Sequence, residues 1–329
     1  MATGDSLTSS TSVEATGLEP LASARAVYSG KVFPNLQIST FRNIDRLFPS
    51  RVVKRGSETR EIPVSEDIVT DIQFRSGDEE YDLFDYMSQN RVAALLILKN
   101  DEIRLERHEF DLDAGSRWMS MSIAKSISST LVGIAIADGI ISSIDDQLTT
   151  YLPELVGSGY DGVSVRHLLQ MTSGVQWDET PTDPQSDRGR MLELQIQQRP
   201  GEIMRYMASL PRIAEPGTVW NYSTGETHVV GALLRAATGV PVANYLSDKL
   251  WSRLGMESDA TWWLESPDGL EVAGSGFSAT LRDYGRFGQF IMNDGVFDGE
   301  RILPAGWVRE AGSPRKIGDE LVEYGYMWW

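Results

Sequence analysis

Ser122-Ile123-Ala124-Lys125 is the grouping in this 329-residue chain best suited to covalent chemistry. Three helical residues turn through ~300°, which brings a hydroxyl and an amine to one face within reach of each other. A serine opening a helix also sits at the positive end of the helix dipole, where an oxyanion is favoured. The lysine acts as a base only once its proton is gone. From a pKa near 10.4, half-neutrality at pH 7 asks for ~3.4 units, or about 4.6 kcal/mol of ammonium destabilisation. Burial supplies shifts of that size, and Met121, Ile123 and Ala124 make an apolar setting for one.

Spacing alone does not single the pair out. The chain repeats it at Ser313-Pro314-Arg315-Lys316, among polar neighbours, where a surface loop is expected. The plain reading of the first copy is a helix cap followed by a solvated lysine. Composition removes several other chemistries. There is no cysteine, so disulfides, thiolate nucleophiles and Cys-ligated metals are out. His108, His167 and His228 stand far apart and form no compact ligand motif. A formal net charge of −17 opposes nucleic acid and anionic membrane as partners. The first residues lack a basic and apolar leader, so a cytoplasmic location is expected, or a periplasmic one if a leader has been trimmed.

The elements that must position the pair follow from pattern. Val92–Leu98 is a continuous apolar run, and Ile103–Phe110 alternates after a polar turn, which together predict a β-hairpin burying Ile103 and Leu105. Ser122 to Asp138 reads as a helix that is apolar on most faces, closed by Gly139. Residues 140–265 read as helices and long loops. A helix near Leu281–Asn293, a short helix after Pro304 and a strand over 324–329 complete the pattern. Residues 1–26 read as a loose tail.

Two downstream blocks change the weight of the first motif. These are Val165-Arg-His-Leu-Leu-Gln-Met-Thr-Ser-Gly174 and Glu215-Pro-Gly-Thr-Val-Trp-Asn-Tyr-Ser-Thr-Gly225, the second leading into a helical run from Val229 to Ala237. With Ser-x-x-Lys and the later Gly276–Asp283 segment, they resemble the serine β-lactamase and penicillin-binding-protein-like superfamily. Class C β-lactamase-like esterases and 6-aminohexanoate-dimer hydrolases look most similar. The resemblance implies an α/β (α+β) fold: an antiparallel sheet flanked by helices, with an inserted all-helical region. It implies a sheet domain over 27–118 and 270–329, a helical domain over 119–269, and a site between them.

By the same resemblance Ser122 is the acylated nucleophile, its backbone N–H half of an oxyanion hole, Lys125 the general base and Tyr222 the proton relay. Thr224, at the position of a family substrate-binding residue, is an expected substrate contact, and Trp177 either lines the substrate cleft or packs in the core. A phenol suits the relay if the nearby lysine charge lowers its pKa from ~10. The implied activity is a serine hydrolase acting on a small-molecule ester or amide, needing neither cofactor nor metal. Nothing in the sequence sets an oligomeric state.

Departures from the family pattern are specific. Thr224 stands where the lactamases carry Asn, and Gly274 where the nylon-oligomer hydrolases carry an amide-binding Asn. The third family motif, which supplies the second oxyanion donor, normally follows a Tyr-Gly-x-x-Trp-Trp segment, here Tyr324 to Trp329. Lys316-Ile-Gly318 precedes that segment and is rejected as the motif. The expectation is therefore a chain ending inside its closing sheet, lacking C-terminal strands and a helix (~50–70 residues), with 324–329 an exposed edge strand. The alternative is a non-catalytic or truncated, inactive penicillin-recognising-type binding module. Asp178, Glu179, Asp183 and Asp187 read as a solvated acidic loop, and His167 as a structural hydrogen-bonder.

Overall fold

The computed structural model describes residues 18–329. Its centre is a four-stranded antiparallel sheet, ordered Ser50–Val53, Ala260–Trp263, Phe277–Thr280 and Arg117–Met119. The hairpin forms as the pattern predicts, between Ala94–Lys99 and Glu102–His108, with Ile103 and Leu105 buried. It is a separate two-stranded ladder, with the Leu281–Met292 helix lying against it: Gly285 leaves room there for Leu96.

The Ile123–Ala137 helix leaves the Arg117–Met119 edge of the sheet and runs through the protein interior, packed on the Thr224–Thr238 helix. It is apolar on most faces and buried over most of its length, from Ala124 to Ala135 with Ser126 only partly covered. At Gly133 a Cβ would lie 2.6 Å from the Trp307 ring, so only glycine admits that approach. Gly139 follows with φ +70°, the left-handed residue expected just past the helix end.

Three expectations are corrected. Of the predicted tail, residues 1–17 lie outside the described residues, but 18–26 are tied down. Ala22 N–H donates to Thr40 Oγ1 at 2.8 Å, Ser23 caps a short helix at Ala24–Tyr28, and Arg25 pairs with Glu193 at 2.6 Å. These anchors are long-range, and local composition does not signal them. The boundary at residue 269 also moves, because Ala260–Trp263 is a central strand of the sheet. All four of its residues are buried, so no alternation marks it as a strand.

The segment 324–329 is not an edge strand. Tyr326 N–H donates to Ala311 O at 2.9 Å and Met327 N–H to Leu169 O at 3.0 Å, so its backbone is spent on helix ends. Met327 takes φ +58°, and a Cβ on Gly325 would lie 1.8 Å from Ala311 O. Tyr324, Tyr326 and Met327 are buried. The strand-like run of aromatics instead buries Tyr324 and Tyr326 on a turning chain.

Candidate active site

The nucleophile motif is delivered by a sharp turn. Ser120 N–H still belongs to the sheet, donating to Phe277 O at 2.8 Å. Met121 then takes φ +49°, a strained conformation for a methionine, and Ser122 opens the helix. Ser122 makes no side-chain capping bond, and it is exposed. Lys125 is 1% exposed. Both halves of the plain reading, a capping serine and a solvated lysine, therefore fail.

Lys125 Nζ lies 3.1 Å from Ser122 Oγ, 3.0 Å from Thr224 Oγ1 and 3.0 Å from the carbonyl oxygen of Gly274. Burial pushes its pKa down to about 7; the negative charge of Glu179 opposes the shift and the positive charge of Arg188 adds to it. The Tyr222 ring centroid is 5.1 Å from Nζ. Burial raises the Tyr222 phenol above its usual value, with the Ser122 hydroxyl beside it pulling the other way. The expectation of a lowered phenol is thus reversed, because loss of water, with the Glu179 charge adding to it, outweighs the Ser122 hydrogen bond.

Tyr222 is placed by two interlaced loops. Gly174 O accepts from Ile213 N–H at 2.8 Å and Ala214 N–H at 3.1 Å; Thr172 O accepts from Gly217 N–H at 2.7 Å, and Met171 O from Asn221 N–H at 3.0 Å. Gly174 has φ +76°, and a Cβ there would sit 2.0 Å from Ala214 O. The Met-Thr-Ser-Gly and Pro-Gly blocks are therefore the two sides of one scaffold. His167 completes the capping box of Val165–Leu169 with Ser164, the structural role expected of it.

Thr224 and Trp177 are both buried. Thr224 is 2% exposed, the first residue of its helix, and turns inward to Lys125. Trp177 is 7% exposed, packed where a Gly225 Cβ would fall 2.6 Å from its ring. Both instead hold Glu179. Its carboxylate accepts from the Trp177 indole N–H at 2.5 Å, from Thr224 N–H at 2.8 Å and from the Thr224 hydroxyl. Asp187 is also buried, accepting from Asp178 N–H at 2.8 Å and from the Tyr206 hydroxyl. So the acidic loop is exposed at Asp178 and Asp183, half-buried at Glu179 and buried at Asp187. Sequence reasoning missed Glu179 and the Gly274 carbonyl. Charge clusters read as solvent-facing, and a backbone oxygen has no sequence signature.

The Beta-lactamase family profile matches residues 82–329. The chain belongs to the Beta-lactamase family. A 6-aminohexanoate-dimer hydrolase of Paenarthrobacter ureafaciens is 29% identical over 75% of this chain and 66% of its own length. A β-lactamase of Yersinia enterocolitica is 25% identical over 55% of this chain. The chain thus spans about two thirds of the first relative and 47% of the second. A solved structure from Bacillus anthracis, provisionally named a 6-aminohexanoate-dimer hydrolase, superposes with a TM-score of 0.79 at 20% identity. That match covers 91% of this chain and 80% of the other, which establishes the shared β-lactamase/transpeptidase-like fold. Among the described residues no cluster of metal-ligating side chains occurs, and no single helix is long and apolar enough to cross a membrane.

Proposed function

We propose that the chain is a serine hydrolase that cleaves a small-molecule ester or amide through an acyl-enzyme on Ser122. The observation that carries this reading is the buried Lys125 amine, with a pKa of about 7, at 3.1 Å from an exposed serine hydroxyl. Such an amine is half neutral at physiological pH and needs no further activation. Ser122 Oγ attacks the carbonyl carbon while its proton passes to Lys125 Nζ. The carbonyl oxygen becomes an oxyanion facing the Ser122 N–H at the helix start. Collapse of the tetrahedral intermediate breaks the bond to the leaving group, which takes a proton from the Tyr222 phenol, and Lys125 returns one to Tyr222. Water then attacks the acyl-enzyme, giving up its proton along the same route and freeing Ser122.

The raised Tyr222 pKa suits this assignment, since a relay that donates to the leaving group must hold its proton in the resting enzyme. The name of the 29%-identical relative, a dimer hydrolase, supports hydrolysis as the reaction class. A fluorophosphonate probe with peptide mapping tests the reading. Labelling at Ser122, lost in Ser122→Ala, is expected together with p-nitrophenol release from short-chain esters. Labelling that persists in Ser122→Ala, or a folded protein that neither labels nor releases p-nitrophenol, overturns it.

A further inference from the structure

Resting on that hydrolase reading, we propose that Glu179 is a positioning residue. By taking the Thr224 hydroxyl proton, it sets the direction of the Glu179–Thr224–Lys125 hydrogen-bond chain and leaves the Lys125 lone pair free for Ser122.

Proton counting carries the argument. A neutral lysine amine has two N–H donors and one lone pair. Gly274 O can only accept, so at 3.0 Å it takes one N–H. Thr224 Oγ1 has a single proton and sits between Lys125 Nζ at 3.0 Å and the Glu179 carboxylate. An ionised carboxylate can only accept, so the Thr224 proton goes to Glu179 and Thr224 shows Lys125 a lone pair. Thr224 therefore accepts the second N–H. The amine's own lone pair is left with Ser122 Oγ, at 3.1 Å, as its remaining neighbour.

Were the Thr224 proton turned the other way, it would fill the amine lone pair. An N–H would then face Ser122, and the pair could not move the serine proton. Glu179 touches neither Ser122 nor Lys125 by hydrogen bond, so its effect runs through Thr224. It is itself held from two sides by the Trp177 indole N–H and the Thr224 backbone N–H. Those contacts also cap the Thr224–Thr238 helix, so the test must separate capping from direction.

Glu179→Gln separates them. The two N–H donors hold the amide carbonyl, which keeps the cap and turns the –NH2 toward Thr224 Oγ1. Thr224 then accepts from Gln and donates to Lys125. The expected result is a fall of about tenfold or more in the rate of Ser122 labelling, at unchanged thermal stability. On a Thr224→Val background, where no direction remains to reverse, the same substitution should change the rate by less than about twofold.

A second readout does not depend on labelling. The charges facing Lys125 are Glu179 and Arg188, with the Tyr222 phenol beside them. Removing the Glu179 charge while Arg188 stays should move the Lys125 titration to lower pH, read by its Cε carbon resonance. A loosened, wetter pocket moves it to higher pH. The proposal is overturned by labelling within about twofold of wild type in Glu179→Gln, by an equal loss on the Thr224→Val background, or by an upward titration shift. Failure of the hydrolase reading would show in the wild-type protein, as absent Ser122 labelling.

Discussion

Ser122–Lys125 and Ser313–Lys316 have the same residue types at the same spacing and opposite surroundings. The first pair spans the start of a buried helix, with the amine 1% exposed and three oxygen neighbours around it. In the second, Ser313 follows the Trp307–Gly312 helix and donates back to Arg309 O at 2.6 Å. Lys316 points into solvent from a small hairpin, paired opposite Leu321. A left-handed glycine, Gly318, makes the turn of that hairpin. Proximity is thus a small part of what the chemistry needs. The larger part is removal of water from the amine, which a helix buried over most of its length provides and a surface hairpin does not.

Serine substitutions give the sharpest contrast. Ser122→Ala should abolish fluorophosphonate labelling altogether, whereas Ser313→Ala should leave it unchanged, as read by intact-protein mass spectrometry. The lysines come next. Lys125→Met should slow labelling by roughly 10²–10⁴-fold, the usual contribution of a general base, and Lys316→Met should not slow it measurably. In the wild type the rate should fall about tenfold per pH unit below pH ~7, because protonating Lys125 removes the base.

Stability should respond in the opposite sense. With a folded pKa of about 7 against an ordinary 10.5, Lys125 leaves the unfolded chain holding more protons throughout the interval between them. Its burden on stability is therefore absent above pH ~10.5, grows as pH falls, and is complete below pH ~7 at about 5 kcal/mol. Offsetting three lost hydrogen bonds of about 1 kcal/mol each, Lys125→Met should stabilise the protein by roughly 2 kcal/mol at pH 7 in urea unfolding. Lys316→Met should stay within about 0.5 kcal/mol. A protein that loses both activity and stability in Lys125→Met would remove the contrast.

What the sequence made legible divides along the same line. The nucleophile helix, its closing glycine, the hairpin and the late helix were readable because each has local periodicity and punctuation. Motif blocks mark Ser122, Lys125 and Tyr222, and the fold brings the three side chains together. Ala260–Trp263 carries no strand signal because a strand buried on both faces does not alternate, whereas the strand-favouring aromatics of Tyr324–Trp329 sit on a turning chain. Thr224 draws a substrate role from standing where the lactamases carry Asn, and Trp177 reads equally as cleft or core. Their actual neighbour, Glu179, lies 45 positions before Thr224 and is brought there only by folding. Burial and hydrogen-bond direction are properties of the assembled chain, and they decide each of these cases.

The smallest expected effect tests the Tyr222 assignment through what does not change. A phenol lowered by a nearby ammonium would lose its proton between about pH 8 and 9, and any step needing that proton would decline there. In this site the amine is largely neutral above pH ~7, so the charge that would lower the phenol is gone before the phenol titrates. Burial is left as the dominant influence and raises Tyr222 above its usual value. The rate of turnover of a simple alkyl ester, whose leaving alkoxide needs that proton, should therefore rise through pH ~7 and stay level to about pH 10, a one-sided profile rather than a bell. A falling limb near pH ~8.5 that disappears in Tyr222→Phe would show that the phenol is lowered after all, and that Lys125 keeps its charge beside it.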